Sequence, residues 1–321
     1  MKKKKAGILA GGVVAFLLVS NTIATKLIYD AIFSRYDTEA NAIIAGAYSE
    51  SMTGNPEYFT VEGTEGKLQC GLYEGEEDTE GEGILLILAP GLHAGLAEYA
   101  GIAEYMSSEG MDVLLFDPTG TRQSEGRSNI GYSQETYDLD AVLTYAQASM
   151  DYEEIYLMGH SRGATAAVSL LCENNDRLSS DASQIDGVIA VSGFDSAMDA
   201  VIGLSSGYVG GLARLNAPTL WAYQRLLFDG VTLNGSCSDI INDTETPVLI
   251  LQGSGDGLAL PDRYSIYSHR EELVGENVTV RLYTEEGKNG HTDILYDDSD
   301  GALHEEAMED CVTWILENKD K

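Results

Sequence analysis

The chain has 321 residues, 44% of them hydrophobic, and carries 52 acidic against 19 basic side chains, a formal net charge of −33. That length and apolar content suffice for one large domain with a sizeable core. The acid excess argues against nucleic acid, anionic lipid headgroups or anionic polymers as partners of its surface.

From the N-terminus, Lys2, Lys3, Lys4 and Lys5 precede an apolar stretch from Ala6 to Ala24. Its length is close to the roughly 20 residues that span a bilayer as a helix, and lysines stay on the cytoplasmic side. Residues 1–25 therefore read as an uncleaved membrane anchor that sends the rest of the chain out of the cytoplasm. A cleaved signal segment would leave the chain on the same side, secreted, but Thr22-Ile23-Ala24 is only a weak cleavage site. Residues 26–65 read as a helical approach segment, its helical part 26–53 carrying Ile28, Ile32, Ile43, Ile44 and Ala47 near helical spacing and ending at the break around Gly54-Asn55-Pro56, with strands from Phe59 on. Those strands surround an acidic, glycine-rich hairpin.

Residues 66–194 then alternate apolar runs with helical patterns. Strands are expected at 83–90, 111–117, 154–159 and 186–193, and helices at 95–110, 133–150 and 162–174, the second opening on a partial capping box at Ser133. Uniformly apolar strands between helices predict a mostly parallel central sheet covered on both faces. Residues 195–246 break the rhythm and contain no convincing strand. An insertion of this kind reads as a cap over a ligand site. Its segment from Pro218 to Phe228 is a helix with too many apolar groups to face only water, and predicts an apolar roof. Residues 247–321 resume with a strand near 247–252, a helix over 260–273, a strand near 277–284 and a final helix.

The candidate chemistry centres on Gly159-His160-Ser161-Arg162-Gly163, where a strand meets a helix. A serine hydroxyl needs a base in reach, a group to orient that base and donors for the oxyanion. A second match, Gly203-Leu204-Ser205-Ser206-Gly207, lies in the insertion with no strand before it and reads as a lid loop. Among the five histidines, His291 stands in a loop after a strand and downstream of the serine, which makes it the candidate base. His93 and His160 precede the serine, and His269 and His304 fall in expected helices. Asp256, in the glycine-rich turn after the strand ending near Gln252, is the candidate orienting acid. Asp262 and Asp195 are alternatives. The backbone N–H groups of Leu92 and Arg162 are the candidate oxyanion donors, and His93 is a possible lining residue. The four cysteines, Cys70, Cys172, Cys237 and Cys311, form no cluster of metal-ligand spacing. They read as free thiols, and neither metal nor cofactor is expected.

These residues resemble the α/β-hydrolase superfamily: Pro90-Gly91-Leu92, the turn around Ser161, Gly253 with Asp256, and Gly290-His291. The stretch Asp117 to Gly126 is similar to a family loop, departing from it at Thr119 and Arg122. The resemblance, covering about 83–321 apart from the insertion, implies an α/β-hydrolase fold with a helical cap and a Ser161–Asp256–His291 triad. With the anchor included, the chain looks like membrane-anchored hydrolases of Gram-positive bacteria. The expected activity is hydrolysis of a carboxylic ester through an acyl-enzyme, as in monoacylglycerol lipase relatives. The alternative is an aminopeptidase of the proline iminopeptidase type, which would grip a substrate amine through Asp195, Asp199, Asp229 or Asp239. The expected partner is thus a small ester or short peptide, with the membrane reached through the N-terminal helix.

Overall fold

A computed structural model of the chain describes residue 12 and residues 19–37, 56–77, 79–172, 176–210, 212–228, 235–297 and 301–319. Most of the expected anchor, residues 1–11 and 13–18, and the region of Ile43, Ile44 and Ala47 lie outside them. Among the described residues no helix is long and apolar enough to cross a membrane.

The first described helix, α1, runs through residues 19–32. Strand β1 (Glu57–Gly63) falls where the sequence suggested strands from Phe59 onward, beginning two residues earlier. It pairs antiparallel with β2 (Gly66–Tyr73), and the alternation that buries Val61 while exposing Tyr58 is the strand period. Strands β3 (Ile84–Ala89), β4 (Asp112–Phe116), β5 (Glu154–His160), β6 (Gly187–Val191), β7 (Val248–Gly253) and β8 (Val278–Tyr283) complete an eight-stranded sheet ordered β1-β2-β4-β3-β5-β6-β7-β8. All pairings from β4 to β8 are parallel.

Two helical layers cover the sheet. Helices α2 (Leu96–Ser108) and α9 (Glu305–Asn318) pack on the face bearing Leu86 and Leu88. Helices α3 (Gln134–Ser149) and α4 (Arg162–Ser169) pack on the opposite face, bearing Leu85 and Ile87. Both faces of β3 are thus dry, which is why the strand reads as an unbroken apolar run. Ser133 precedes α3 without a side-chain capping bond, contrary to the expected capping box.

The insertion forms α5 (Ala197–Val209), α6 (Leu212–Leu215), α7 (Ala217–Leu227) and α8 (Cys237–Asp243). Helix α8 belongs to the core layer, since Cys237 and Ile241 pack with α4 and β7. The cap is accordingly α5 to α7, joined by α1 in a third apolar cluster of Tyr29, Ile32, Phe33, Phe194, Val201 and Leu220. The expected helix over 260–273 is only a 3-10 turn, Ile266–His269. Tyr264 sits at φ 74, which an α-helix excludes, and the segment bonds instead to the exit of β6, Ile266 N–H to the Gly193 carbonyl and Asp195 N–H to that of Tyr264. All four cysteines are free thiols.

Candidate active site

Parallel strands bring their carboxyl ends to one edge, and the loops there carry the site. Strand β5 ends at His160, and Ser161 follows with φ 56 and ψ −113, a backbone conformation rare for a side-chain-bearing residue. The turn is held by close approach. A Cβ at Gly163 would collide with the Ala89 carbonyl, and one at Gly159 with the carbonyl of Gly163. Helix α4 starts directly at Arg162, so its positive end faces the Ser161 hydroxyl.

Three side chains named from sequence meet in one hydrogen-bonded line. Ser161 Oγ lies 2.8 Å from His291 Nε2, and His291 Nδ1 lies 3.0 and 2.9 Å from the two oxygens of Asp256. Asp256 is buried, and each oxygen has further donors. The N–H groups of Leu258 and Ala259 reach Oδ1 at 2.8 and 2.9 Å, and Gln252 Nε2 reaches Oδ2 at 3.0 Å. Burial pushes the Asp256 carboxyl up, but the hydrogen bond and charge of His291, with the Leu258 and Gln252 donors, outweigh it and hold the group below its ordinary range. An acceptor-only carboxylate fixes the tautomer: His291 Nδ1–H donates to Asp256, and Nε2 accepts from the Ser161 hydroxyl.

A second line runs behind the first. The Gly91 N–H donates to the Tyr99 hydroxyl at 2.9 Å, and Tyr99 Oη lies 2.7 Å from His160 Nδ1. His160 Nε2 lies 2.9 Å from the His291 carbonyl oxygen. Because Gly91 N–H can only donate and the His291 carbonyl can only accept, every proton is placed: Tyr99 donates to Nδ1, and His160 Nε2–H donates to the carbonyl. Burial and the neighbouring His291 push His160 down to about 3, so this ring stays neutral. Sequence reasoning set His160 aside for its position in the chain and missed Tyr99 and Gln252. No spacing signal marks the last two, which become visible only through their contacts.

Leu92 lies in the loop after β3, next to Gly91, which approaches His160 and Ser161, and Arg162 opens α4. Among the described residues neither donates its backbone N–H to another backbone carbonyl. The Arg162 side chain is buried, bonding the carbonyls of Tyr132 at 2.8 Å and Gly131 at 2.5 Å and pairing with Glu135 at 3.3 Å. Burial pushes Glu135 up to about 8 against the pull of Arg162. His93 is at φ 60, its ring stacked on Tyr36.

The alternatives fall elsewhere. Asp195 is buried, accepts from Ser238 N–H at 2.9 Å and faces His269 at 3.7 Å. Asp262 is exposed beside Arg263. Ser205 is a buried position within helix α5, not in a lid loop. Asp199 bonds Ser196 beside the start of that helix, Asp239 is exposed on α8, and Asp229 lies outside the described residues. Among the described residues no cluster of three metal-ligating side chains occurs.

A family model described as the alpha/beta hydrolase fold matches residues 84–222. No curated protein matches the chain. Among solved structures, an esterase of Pyrococcus furiosus is 17% identical at a TM-score of 0.60, covering 89% of this chain and 97% of its own. Est1E of Butyrivibrio proteoclasticus with ferulic acid bound is 18% identical at 0.55, covering 82% and 100%. An acylaminoacyl peptidase of Pyrococcus horikoshii is 14% identical at 0.55, covering 87% of this chain but 43% of its own.

Proposed function

We propose that this chain, an α/β-hydrolase by fold and by family model, is a serine hydrolase that cleaves a carboxylic ester through an acyl-enzyme. The observation that carries the reading is the unbroken line from Ser161 through His291 to Asp256. His291 Nε2 takes the Ser161 proton as Oγ attacks the ester carbonyl carbon. The resulting oxyanion is received by the N–H groups of Leu92 and Arg162, and the imidazolium is stabilised by ionised Asp256. As the carbon–oxygen bond breaks, the leaving alkoxide takes that proton. Water then repeats the sequence on the acyl-serine and frees the acid.

The esterase among the fold neighbours supports the ester over the peptide. So does the engagement of Asp195 and Asp199 with Ser238, His269 and Ser196, which leaves neither free to hold a substrate amine. The same proposal places the catalytic domain outside the cytoplasm, tethered by the lysine-led apolar segment that runs into α1. A fluorophosphonate probe should label wild type and not Ser161→Ala, and p-nitrophenyl esters should turn over faster than aminoacyl-naphthylamides. The reverse preference would make the chain a peptidase. Added protease should digest the domain on intact cells, and recovery of the full chain in the soluble cytosolic fraction would overturn the tether.

A further inference from the structure

The segment after α1 lies against the loop after β3 and the start of α4. Its backbone is fixed at several points. Tyr36 N–H donates to the Gly120 carbonyl at 2.9 Å, the Tyr36 carbonyl accepts from Arg122 N–H at 2.8 Å, and the Phe33 carbonyl accepts from Asn129 N–H at 2.9 Å. Arg35 bonds the carbonyls of Arg122, Ser124 and Gly126 at 2.7, 3.1 and 2.7 Å. This strap is therefore part of the hydrolase unit, although the sequence suggested only a lead-in to it.

Two aromatic contacts leave the strap towards the site. The Phe33 ring lies 5.9 Å from the Arg162 guanidinium, beside the residue that follows Ser161. The Tyr36 ring stacks on His93, centroids 5.0 Å apart and planes at 17°. His93 is the residue after Leu92, and its φ of 60 belongs to the region that costs a side-chain-bearing residue on the order of 1–2 kcal/mol. Such a conformation persists only where its surroundings impose it. Leu92 itself packs against the third apolar cluster, of which Tyr29, Ile32 and Phe33 are members. The strained loop and the ring that holds it thus belong to different parts of the chain, some 57 residues apart by number, His93 against Tyr36.

We propose that Tyr36 is a positioning residue for the oxyanion loop: its ring pins His93 and thereby aims the Leu92 N–H at the tetrahedral centre on Ser161. The proposal rests on the reading of Leu92 as an oxyanion donor. It gives the N-terminal strap a role in the chemistry, since its hold on Gly120, Arg122 and Asn129 sets where the Tyr36 ring stands.

The test uses the full chain in detergent, with Tyr36→Ala, Tyr36→Leu and Tyr36→Phe. Leucine keeps most of the volume without the ring, and phenylalanine keeps the ring without the hydroxyl. Three quantities are read: kcat and KM on p-nitrophenyl acetate, the inhibition constant of phenylboronic acid, which adds to a serine hydroxyl as a tetrahedral anion, and Tm. Loss of aim should lower kcat of the Ala and Leu variants by about 10-fold or more, with KM nearly unchanged. Boronate affinity should weaken by a similar factor, since it reports the same tetrahedral geometry. Phe should restore both. Wild-type kcat and boronate affinity in the Leu variant would overturn the proposal, as would a Phe variant no better than Leu. A wild-type enzyme that neither cleaves the ester nor binds boronate would sink the functional reading itself, a distinct result.

Discussion

The strand-end edge that carries the Ser161–His291–Asp256 line and the α5–α7 layer are built to different standards. At the edge, Asp256 is 2% exposed and Ser161 8%, and every polar atom of the line has a named partner. In the cap, α7 buries only Leu220 and Gln224, while Trp221 is 41% and Leu226 81% exposed. Interiors transmit small displacements, whereas half-exposed helices absorb them. On the proposed reading the reaction belongs to the edge, with the strap bracing its oxyanion loop, and selection among substrates falls to the cap. The helix from Pro218 to Phe228 is a roof in part only: Leu220 and Phe228 turn inward, and Trp221, Leu226 and Leu227 turn out.

The largest effects should come from the edge. Ser161→Ala and His291→Ala should each lower kcat by about 10^4 to 10^6-fold, because the two act as a unit. Asp256→Asn should cost about 10^3 to 10^4-fold, since an amide cannot hold the His291 tautomer in the same way. Ser205→Ala, within α5, should leave kcat unchanged. Steady-state kinetics on a short ester, with Tm as a folding control, decides. A Ser205 variant as impaired as Ser161→Ala would erase the distinction between the two regions.

The line behind the triad sharpens the comparison at smaller scale. His160→Gln retains a donor near the His291 carbonyl, and His160→Asn retains an acceptor near the Tyr99 hydroxyl. If the edge depends on holding the His291 backbone, Asn should lose about 10-fold or more in kcat while Gln loses less. Equal losses in the two variants, matched by equal losses in Tm, would reduce this line to packing.

What the sequence made legible follows the same divide. Strands with two dry faces, Ile84–Ala89 and Val248–Gly253, announce themselves as apolar runs, and chain order then leaves His291 and Asp256 few rivals. Gln252 and Tyr99 had no such signature, because a strand-end amide or a helix tyrosine looks ordinary until its partner is known. In the cap, Gly203 and Gly207 suggested a loop, yet Ser196 caps a helix through them, and burial of Ala200 and Val201 outweighs glycine's poor propensity. Over 260–273 the apolar spacing suggested a helix, but pairing with the exit of β6 forces Tyr264 to positive φ. Local pattern failed wherever a distant contact chose the backbone.

Within the cap the two aromatic positions should separate. Phe228 is buried and stacks near Tyr137 at 6.3 Å between centroids, whereas exposed Trp221 lies under Arg225. Phe228→Ala should lower stability by about 3 kcal/mol and change the ranking of ester chain lengths, measured from butyrate to decanoate. Trp221→Ala should leave stability and ranking nearly unchanged. A Trp221 variant that reorders the esters would extend the selective surface to the outer side of α7.

The smallest expected effect lies where edge and cap meet, at Glu135 beneath Arg162. Arg162 takes up the carbonyls of Tyr132 and Gly131 with its guanidinium, and Phe33 of the strap covers it. Glu135 is fully buried in α3, and burial raises its carboxyl from the ordinary 4.5 to about 8, the charge of Arg162 offsetting only part of that cost. The sign follows from proton counting. Between pH 4.5 and 8 the folded chain holds a proton on this group that the unfolded chain has released, so stability falls as pH rises through that interval. Asp117, raised by burial to about 6, adds the same sign between pH 3.8 and 6. Asp256, held low, acts oppositely and only below about pH 4, where acid costs stability. Wild type should therefore lose a few degrees of Tm between pH 6.5 and 8, a window above the Asp117 range. Glu135→Gln, which cannot ionise, should lose less over the same interval, because the amide presents no charge to bury. Parallel Tm curves for the two proteins across pH 6.5 to 8 would mean that Glu135 stays ionised throughout and that Arg162 compensates its burial in full.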